Sequence, residues 1–244
     1  IRGDSSLSVM LQPPFASHDS ITVNFSYLED EAGLSTVDIA YTYTTPILGD
    51  YDFDSKITYN DLWDLVENWE MKNFNYELGP VSGQVPHFIS IPDSKFDIED
   101  GMAFVQIWSW YQKEYGQIVE DTVMIGKPLN IAQLGNELYI FIDDSIASGQ
   151  IQFSNNHIDS RLRFSTKSYD GAMYLSHQNP EKGYSILEFA RLKIMAKDTI
   201  RVTADKESKL KIYYKFYGLD KKEIQRGHIS LEYSTIPTTL DLYP

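Results

Sequence analysis

Four aspartates stand at fixed spacing in the stretch DYDFDSKITYND: Asp50, Asp52 and Asp54 alternate with other residues, and Asp61 follows seven positions later. Carboxylates this close repel one another unless something positive sits between them. Ionised carboxylates are hard oxygen donors and accept only, so the chemistry they suit is the capture of a hard divalent cation. The competing reading is a polar turn followed by a capped helix, with Asn60 or Asp61 as the cap.

Counted from Asp50, the aspartates occupy positions 1, 3, 5 and 12 of a loop. Lys56 falls at position 7, where a backbone carbonyl is offered, and Thr58 at position 9, where a bridging water enters. This is the ligand spacing of an EF-hand-type Ca2+ loop, which gathers six to eight oxygens. Two positions depart from it. Position 6 is Ser55 where glycine is usual, so its backbone must adopt or avoid a left-handed turn. Position 12 is the shorter Asp61 where glutamate is usual, which lowers the expected affinity.

The loop is followed by a helical pattern in which Leu62, Leu65, Val66 and Trp69 share one face. Pro46 and the β-branched residues before the loop argue against a helix entering it. The unit also repeats. DSKITYNDLWDLVENW (54–69) aligns without a gap to DSKFDIEDGMAFVQIW (93–108), with identities at Asp54/Asp93, Ser55/Ser94, Lys56/Lys95, Asp61/Asp100, Val66/Val105 and Trp69/Trp108. A second helix is expected with Met102, Val105, Ile107 and Trp108 on its apolar face. Such a duplicated pair is expected to pack about a local twofold, each helix burying the other's apolar face.

A loop and following helix given twice, with no helix before the loop, resembles a dockerin. The resemblance covers residues 47–120 and implies Ca2+ at Asp50, Asp52, Asp54, the Lys56 carbonyl and Asp61. In the second copy Ile89 and Ile91 stand where the first has Asp50 and Asp52, and Pro92 interrupts the loop. Asp93, Asp97 and Asp100 remain as candidate ligands of a degenerate second site.

The rest of the chain reads as strands. Residues 1–46 contain alternating stretches at 6–11, 20–28 and 37–45, separated by turn-rich pieces, and read as Ig-like strands of a partial domain. Residues 121–236 give eight candidates: ELYIFID, GQIQFS, LRFST, AMYLSH, SILEFARLKIM, DTIRVTA, LKIYYKFY and HISLEY. Their even spacing and intervening turn signals predict an antiparallel β-sandwich. In the order of its features this part resembles a divergent cohesin, a nine-stranded jelly-roll sandwich, with GYSILEFARLKIMAKDTIRVTA as its late strand pair. Residues 237–244 read as a linker and resemble the segment that precedes a type IX secretion sorting tail. The expected fold is therefore mainly β with a small α insert.

Composition narrows the function. Among 244 residues the formal net charge is −14, which repels phosphate backbones and excludes nucleic acid as a natural partner. The absence of cysteine removes disulfides, thiolate metal sites and cysteine nucleophiles. No apolar run is long enough to span a membrane. The chain starts at Ile1 without a leader pattern and reads as a processed or cut fragment.

Other signals are weak. The tripeptide Arg2–Gly3–Asp4 reads as chance at a terminus. The five histidines show no zinc spacing. Asp143, Asp144 and Glu188 read as solvated charge rather than a hydrolytic carboxylate pair. In IWSWY (107–111) the tryptophans read as core, with Trp110 turned away from Trp108. The expectation is a non-catalytic Ca2+-binding module of an extracellular or cell-surface protein. It would mediate attachment to a cohesin- or dockerin-type protein domain, in cis or in trans, or organise domains within its own chain. The alternative is a carbohydrate-binding module for polysaccharide, with exposed aromatics on the sandwich and calcium in a structural role.

Overall fold

Alternation of apolar and polar residues decides the architecture of the C-terminal half. In Glu137–Ile142 every second residue is buried, so Leu138, Ile140 and Ile142 point to one side of a sheet and the residues between them to the other. The computed structural model describes residues 14–27, 29, 32–35, 37–119, 123–135, 137–155, 161–166, 171–192, 197–204 and 208–233. The expected strand at 6–11, the Arg-Gly-Asp tripeptide and the linker at 237–244 lie outside the described residues.

In chain order the elements are β1 (Ser20–Phe25), β2 (Ile39–Thr44), α1 (Tyr59–Met71), a short 3-10 turn (Phe74–Tyr76), β3 (Val81–Gln84), β4 (His87–Ser90), α2 (Ile98–Tyr115) and β5 (Asn130–Leu134). There follow β6 (Glu137–Ile142), β7 (Ser148–Asn155), β8 (Leu162–Ser165), β9 (Ala172–Asn179), β10 (Tyr184–Arg191), β11 (Asp198–Ala204), β12 (Ser208–Tyr217) and β13 (Glu223–Tyr233). The fold is mainly β with two helices inserted.

Among the described residues nine strands form an antiparallel sandwich. One sheet has the order β13-β12-β7-β10-β9 and the other β5-β6-β11-β8. All eight strands expected from the sequence are present, and β5 is a ninth that the pattern did not announce, because its residues are mostly exposed. The expected late strand pair is divided: β10 and β11 lie in opposite sheets. The interior between the sheets is apolar, with Leu138, Ile140, Ile200 and Val202 from one side meeting Ile151, Phe153, Phe189 and Phe216 from the other. Each such side chain contributes about 1.5–3 kcal/mol on burial.

β10 breaks the alternation, since all eight of its residues are buried. Leu187 and Phe189 face the sandwich interior, while Tyr184, Ile186 and Ala190 join a second apolar cluster with Leu62, Leu65, Phe104, Ile107 and Trp108. The two helices therefore form a third layer on the outer face of the five-stranded sheet, α1 over β10 and β7 and α2 over β9. The two helices also meet each other, with the Trp69 ring against Gly101, and their apolar faces share one buried cluster with the outer face of the sheet.

The expected face of α1 holds for Leu62, Leu65 and Val66, with Trp69 half-buried against Phe96. The face of α2 is rotated: Ala103, Phe104, Ile107 and Trp108 are buried and Met102 is exposed. The gap is physical, because α2 packs under both the sheet and the first loop, where Phe104 closes against Gly49.

Of the N-terminal strands, the described residues form one two-stranded hairpin, β1 paired with β2, which is short of an Ig-like sheet. Its base is pinned to the helical layer. The Ser17 amide donates to the Phe88 carbonyl at 2.8 Å, and the Leu48 amide donates to Ser17 Oγ at 2.8 Å.

Candidate metal centre

The first loop runs from the end of the hairpin into α1. Its backbone reverses through left-handed residues: Phe53 at φ 57° and Ser55 at φ 64°. Position 6 thus adopts the conformation glycine would take freely, and serine bears the strain. Asp50 is buried, and its Oδ1 accepts from the Asp54 amide at 3.1 Å while Oδ2 accepts from the Ser55 amide at 3.0 Å. Asp52 Oδ1 also accepts from the Asp54 amide, at 3.2 Å, and Asp54 Oδ1 from the Lys56 amide at 2.8 Å.

These turns gather carboxylate oxygens of Asp50, Asp52 and Asp54 within 4.8 Å of one another. The donor set is all oxygen and triply negative, which fits a hard cation. Burial, followed by the charges of Asp52 and Asp54, raises the carboxyl pKa of Asp50 against the lowering effect of the Ser55 and Asp54 amides. The nearest cation among the described side chains is the Lys56 ammonium, 3.8 Å from Asp54 Oδ2 and largely exposed.

Asp61 does something else with its two oxygens. Oδ1 accepts from the Tyr51 amide at 2.8 Å and Oδ2 from the Thr58 amide at 2.9 Å. It is fully buried at the third helical position, and the N-cap of α1 is Thr58, whose hydroxyl accepts from the Asn60 amide; neither Asn60 nor Asp61 is the cap. Burial pushes the Asp61 carboxyl up to about 7, offset in part by the Thr58 and Tyr51 amides. Asp61 stands apart from the group formed by Asp50, Asp52 and Asp54.

The second loop repeats this frame with one substitution that the gapless alignment missed. Ser94, the match of Ser55, has φ 65°. Asp97 is the N-cap of α2 and Asp100 completes its capping box. Asp100 Oδ2 accepts from the Asp97 amide at 2.8 Å, and Oδ1 accepts from the Leu78 and Gly79 amides at 2.8 and 2.9 Å. The carboxylate that binds the Asp93 and Ser94 amides is Glu77, with the Ser94 amide at 3.0 Å from both its oxygens.

Glu77 therefore holds the place of Asp50, and Leu78 that of Tyr51. The β3–β4 hairpin is an insertion between loop positions 1 and 5, so Ile89 and Ile91, which the alignment put at positions 1 and 3, belong to the insert. Only the neighbouring carboxylate of Asp93 remains near, and the Lys95 ammonium sits on it at 2.5 Å, holding its carboxyl below the usual carboxylate range. Asp93, Asp97 and Asp100 do not converge as the first three aspartates do: they serve an ion pair, an N-cap and a capping box.

The helical layer is fastened to the sheet by polar contacts as well. Tyr59 Oη donates to Tyr217 Oη at 2.6 Å, with the rings stacked at 4.8 Å. Trp108 Nε1 donates to Glu188 Oε2 at 2.8 Å, and Gln150 Nε2 to Glu188 Oε1 at 3.1 Å. Glu188 has no exposure and its carboxyl is pushed up to about 8 by burial, so it is far from the solvated charge the sequence suggested. Lys182 reaches from the sandwich to the open end of α2, donating to the Gly116 carbonyl at 2.9 Å.

No protein-family model matches the chain, and no curated protein matches it. Among solved structures it is similar to a cohesin module from a Clostridium perfringens family 33 glycoside hydrolase. That match has 14% identity and a TM-score of 0.32, and it covers 46% of this chain and 97% of the module. Among the described residues no helix is long and apolar enough to cross a membrane.

Proposed function

We propose that this chain is a non-catalytic Ca2+-binding module of an extracellular or cell-surface protein, in which a dockerin-like loop–helix pair is docked in cis on a β-sandwich. The observation that carries the reading is the convergence of the Asp50, Asp52 and Asp54 carboxylates in the loop that launches α1. The cation neutralises that loop and so couples its own binding to the placement of α1 on the sheet. Calcium is the ion of choice because the donors are hard oxygens at EF-hand spacing. Ser55 at position 6 and the engagement of Asp61 with backbone amides weaken the site, toward the 10⁻⁴–10⁻³ M range of extracellular modules.

The helical layer covers the outer face of the five-stranded sheet. This favours the intramolecular form of the function, a rigid unit that organises neighbouring domains, over capture of a cohesin- or dockerin-type partner on that face. The carbohydrate alternative in its original form loses its support, because among the described residues the exposed aromatics all lie before residue 120 and none is on the sandwich.

Thermal unfolding with and without chelator tests the metal. Calcium is expected to raise the melting temperature, and Asp52→Asn with Asp54→Asn to lower it and abolish the calcium response. Superimposable melting curves in calcium and in chelator would overturn the reading.

A further inference from the structure

We infer that the cavity between the N-terminal hairpin and the first loop is a binding site for a neutral carbohydrate. It has a volume of about 520 Å³, within the range of small-ligand sites. Tyr43, Phe53, Tyr111 and Tyr115 line it together with His18 and Asp50. Three of these rings are exposed: Tyr43 at 61%, Phe53 at 75% and Tyr115 at 48%. None of the three belongs to either buried apolar cluster.

The walls are held in place. Tyr111 and Tyr115 lie one turn apart on α2 with ring centroids 5.1 Å apart, and Trp110 meets the Tyr115 ring edge-on at 5.5 Å. His18 packs against Trp110 at 5.2 Å, and its amide donates to the Pro46 carbonyl at 3.2 Å. On the loop side Phe53 presents an exposed ring from the left-handed turn of the first loop, at φ 57°.

The chemistry of the lining selects the ligand class. Aromatic ring faces suit the C–H faces of a pyranose, while phenol hydroxyls and a carboxylate suit its hydroxyl groups. Among the described lining residues there is no lysine or arginine, and Asp50 is followed by Asp52 and Asp54. In the metal-free protein acidic sugars and phosphates would meet like charge. A neutral glycan meets partners for both its apolar and its polar surfaces. This goes beyond the attachment role, since it requires no protein partner, and it borders the cation loop through Asp50.

Affinity electrophoresis of the metal-free protein in gels of soluble β-glucan, α-glucan, mannan and polygalacturonate provides the test, with tryptophan fluorescence as a second readout. At least one neutral polysaccharide is expected to retard the protein and to perturb the fluorescence saturably. Tyr43→Ala and Tyr115→Ala lie outside the cation loop. Each is expected to weaken retention by about tenfold or more, as loss of one stacking face implies. Tyr27→Ala, exposed and not part of the cavity lining, is expected to behave as wild type. Absence of retention in all three neutral gels, stronger retention by polygalacturonate, or retention unchanged in both cavity variants would overturn the inference.

Discussion

Individual carboxylates in this protein are assigned by the hydrogen bonds available to them. Asp50 and Glu77 bind loop amides, Asp61 and Asp100 complete capping boxes, and Glu188 is enclosed between helix and sheet. The spacing of Asp50, Asp52 and Asp54 was legible in the sequence, because a short loop brings near neighbours together whatever the rest of the chain does. The capping role of Asp61 was not, since position 12 of such a loop and the third residue of a helix coincide. Glu188 was misread because its environment is made by α2, far away in sequence.

Glu188 gives the clearest pH dependence at this scale. Its ordinary value is 4.5 and burial pushes it to about 8 in the folded protein. The folded state binds the proton more tightly, so the stabilisation is fully present below about 4.5 and is lost as pH rises through about 8. Chemical denaturation is expected to show stability falling over that window. Glu188→Gln, which keeps the shape and one acceptor oxygen, is expected to make the fall shallower, the buried Asp61, pushed up to about 7, keeping its own share. An equally steep dependence in the variant would contradict the assignment.

At the scale of elements, the protein builds one loop–helix frame twice and fills it differently. The sequence repeat revealed the duplication, because Ser55/Ser94 and Asp61/Asp100 fix the same turns and caps. It hid the register of the second loop, because an alignment without gaps cannot see that β3 and β4 were inserted after Glu77. Glu77→Ala would leave the Asp93 and Ser94 amides without their acceptor. An unsatisfied donor in a partly buried loop costs about 1–3 kcal/mol, so a loss of that order is expected from denaturant melts. Because Glu77 belongs to the second loop, calcium affinity is expected to stay within about twofold, a change of roughly 0.4 kcal/mol. A large drop in affinity would mean that the second loop takes part in binding.

For the whole molecule, the helical layer and the five-stranded sheet share one buried apolar cluster, and the two sheets share another. The eight sandwich strands were readable from alternation and turn spacing. The third layer had a sequence signature in hindsight: YSILEFAR, the stretch that became β10, does not alternate as a half-exposed strand should. Which element covered its outer face is a long-range fact that no local pattern carries. Residues 123–233 expressed alone would uncover Leu175, Tyr184, Ile186 and Ala190. That fragment is expected to bind a hydrophobic dye and to associate, whereas the full chain unfolds in a single transition. A monomeric fragment that excludes dye would show that the layers are independent.

Calorimetric titration of the metal-free chain with calcium addresses the central claim most directly. The Asp50, Asp52 and Asp54 carboxylates converge, whereas the second loop carries its own ammonium at Asp93. A single binding event per chain is therefore expected, absent from the Asp52→Asn, Asp54→Asn variant. A titration with no heat of binding under conditions where the protein is folded, or one that reports two equivalent sites, would contradict it.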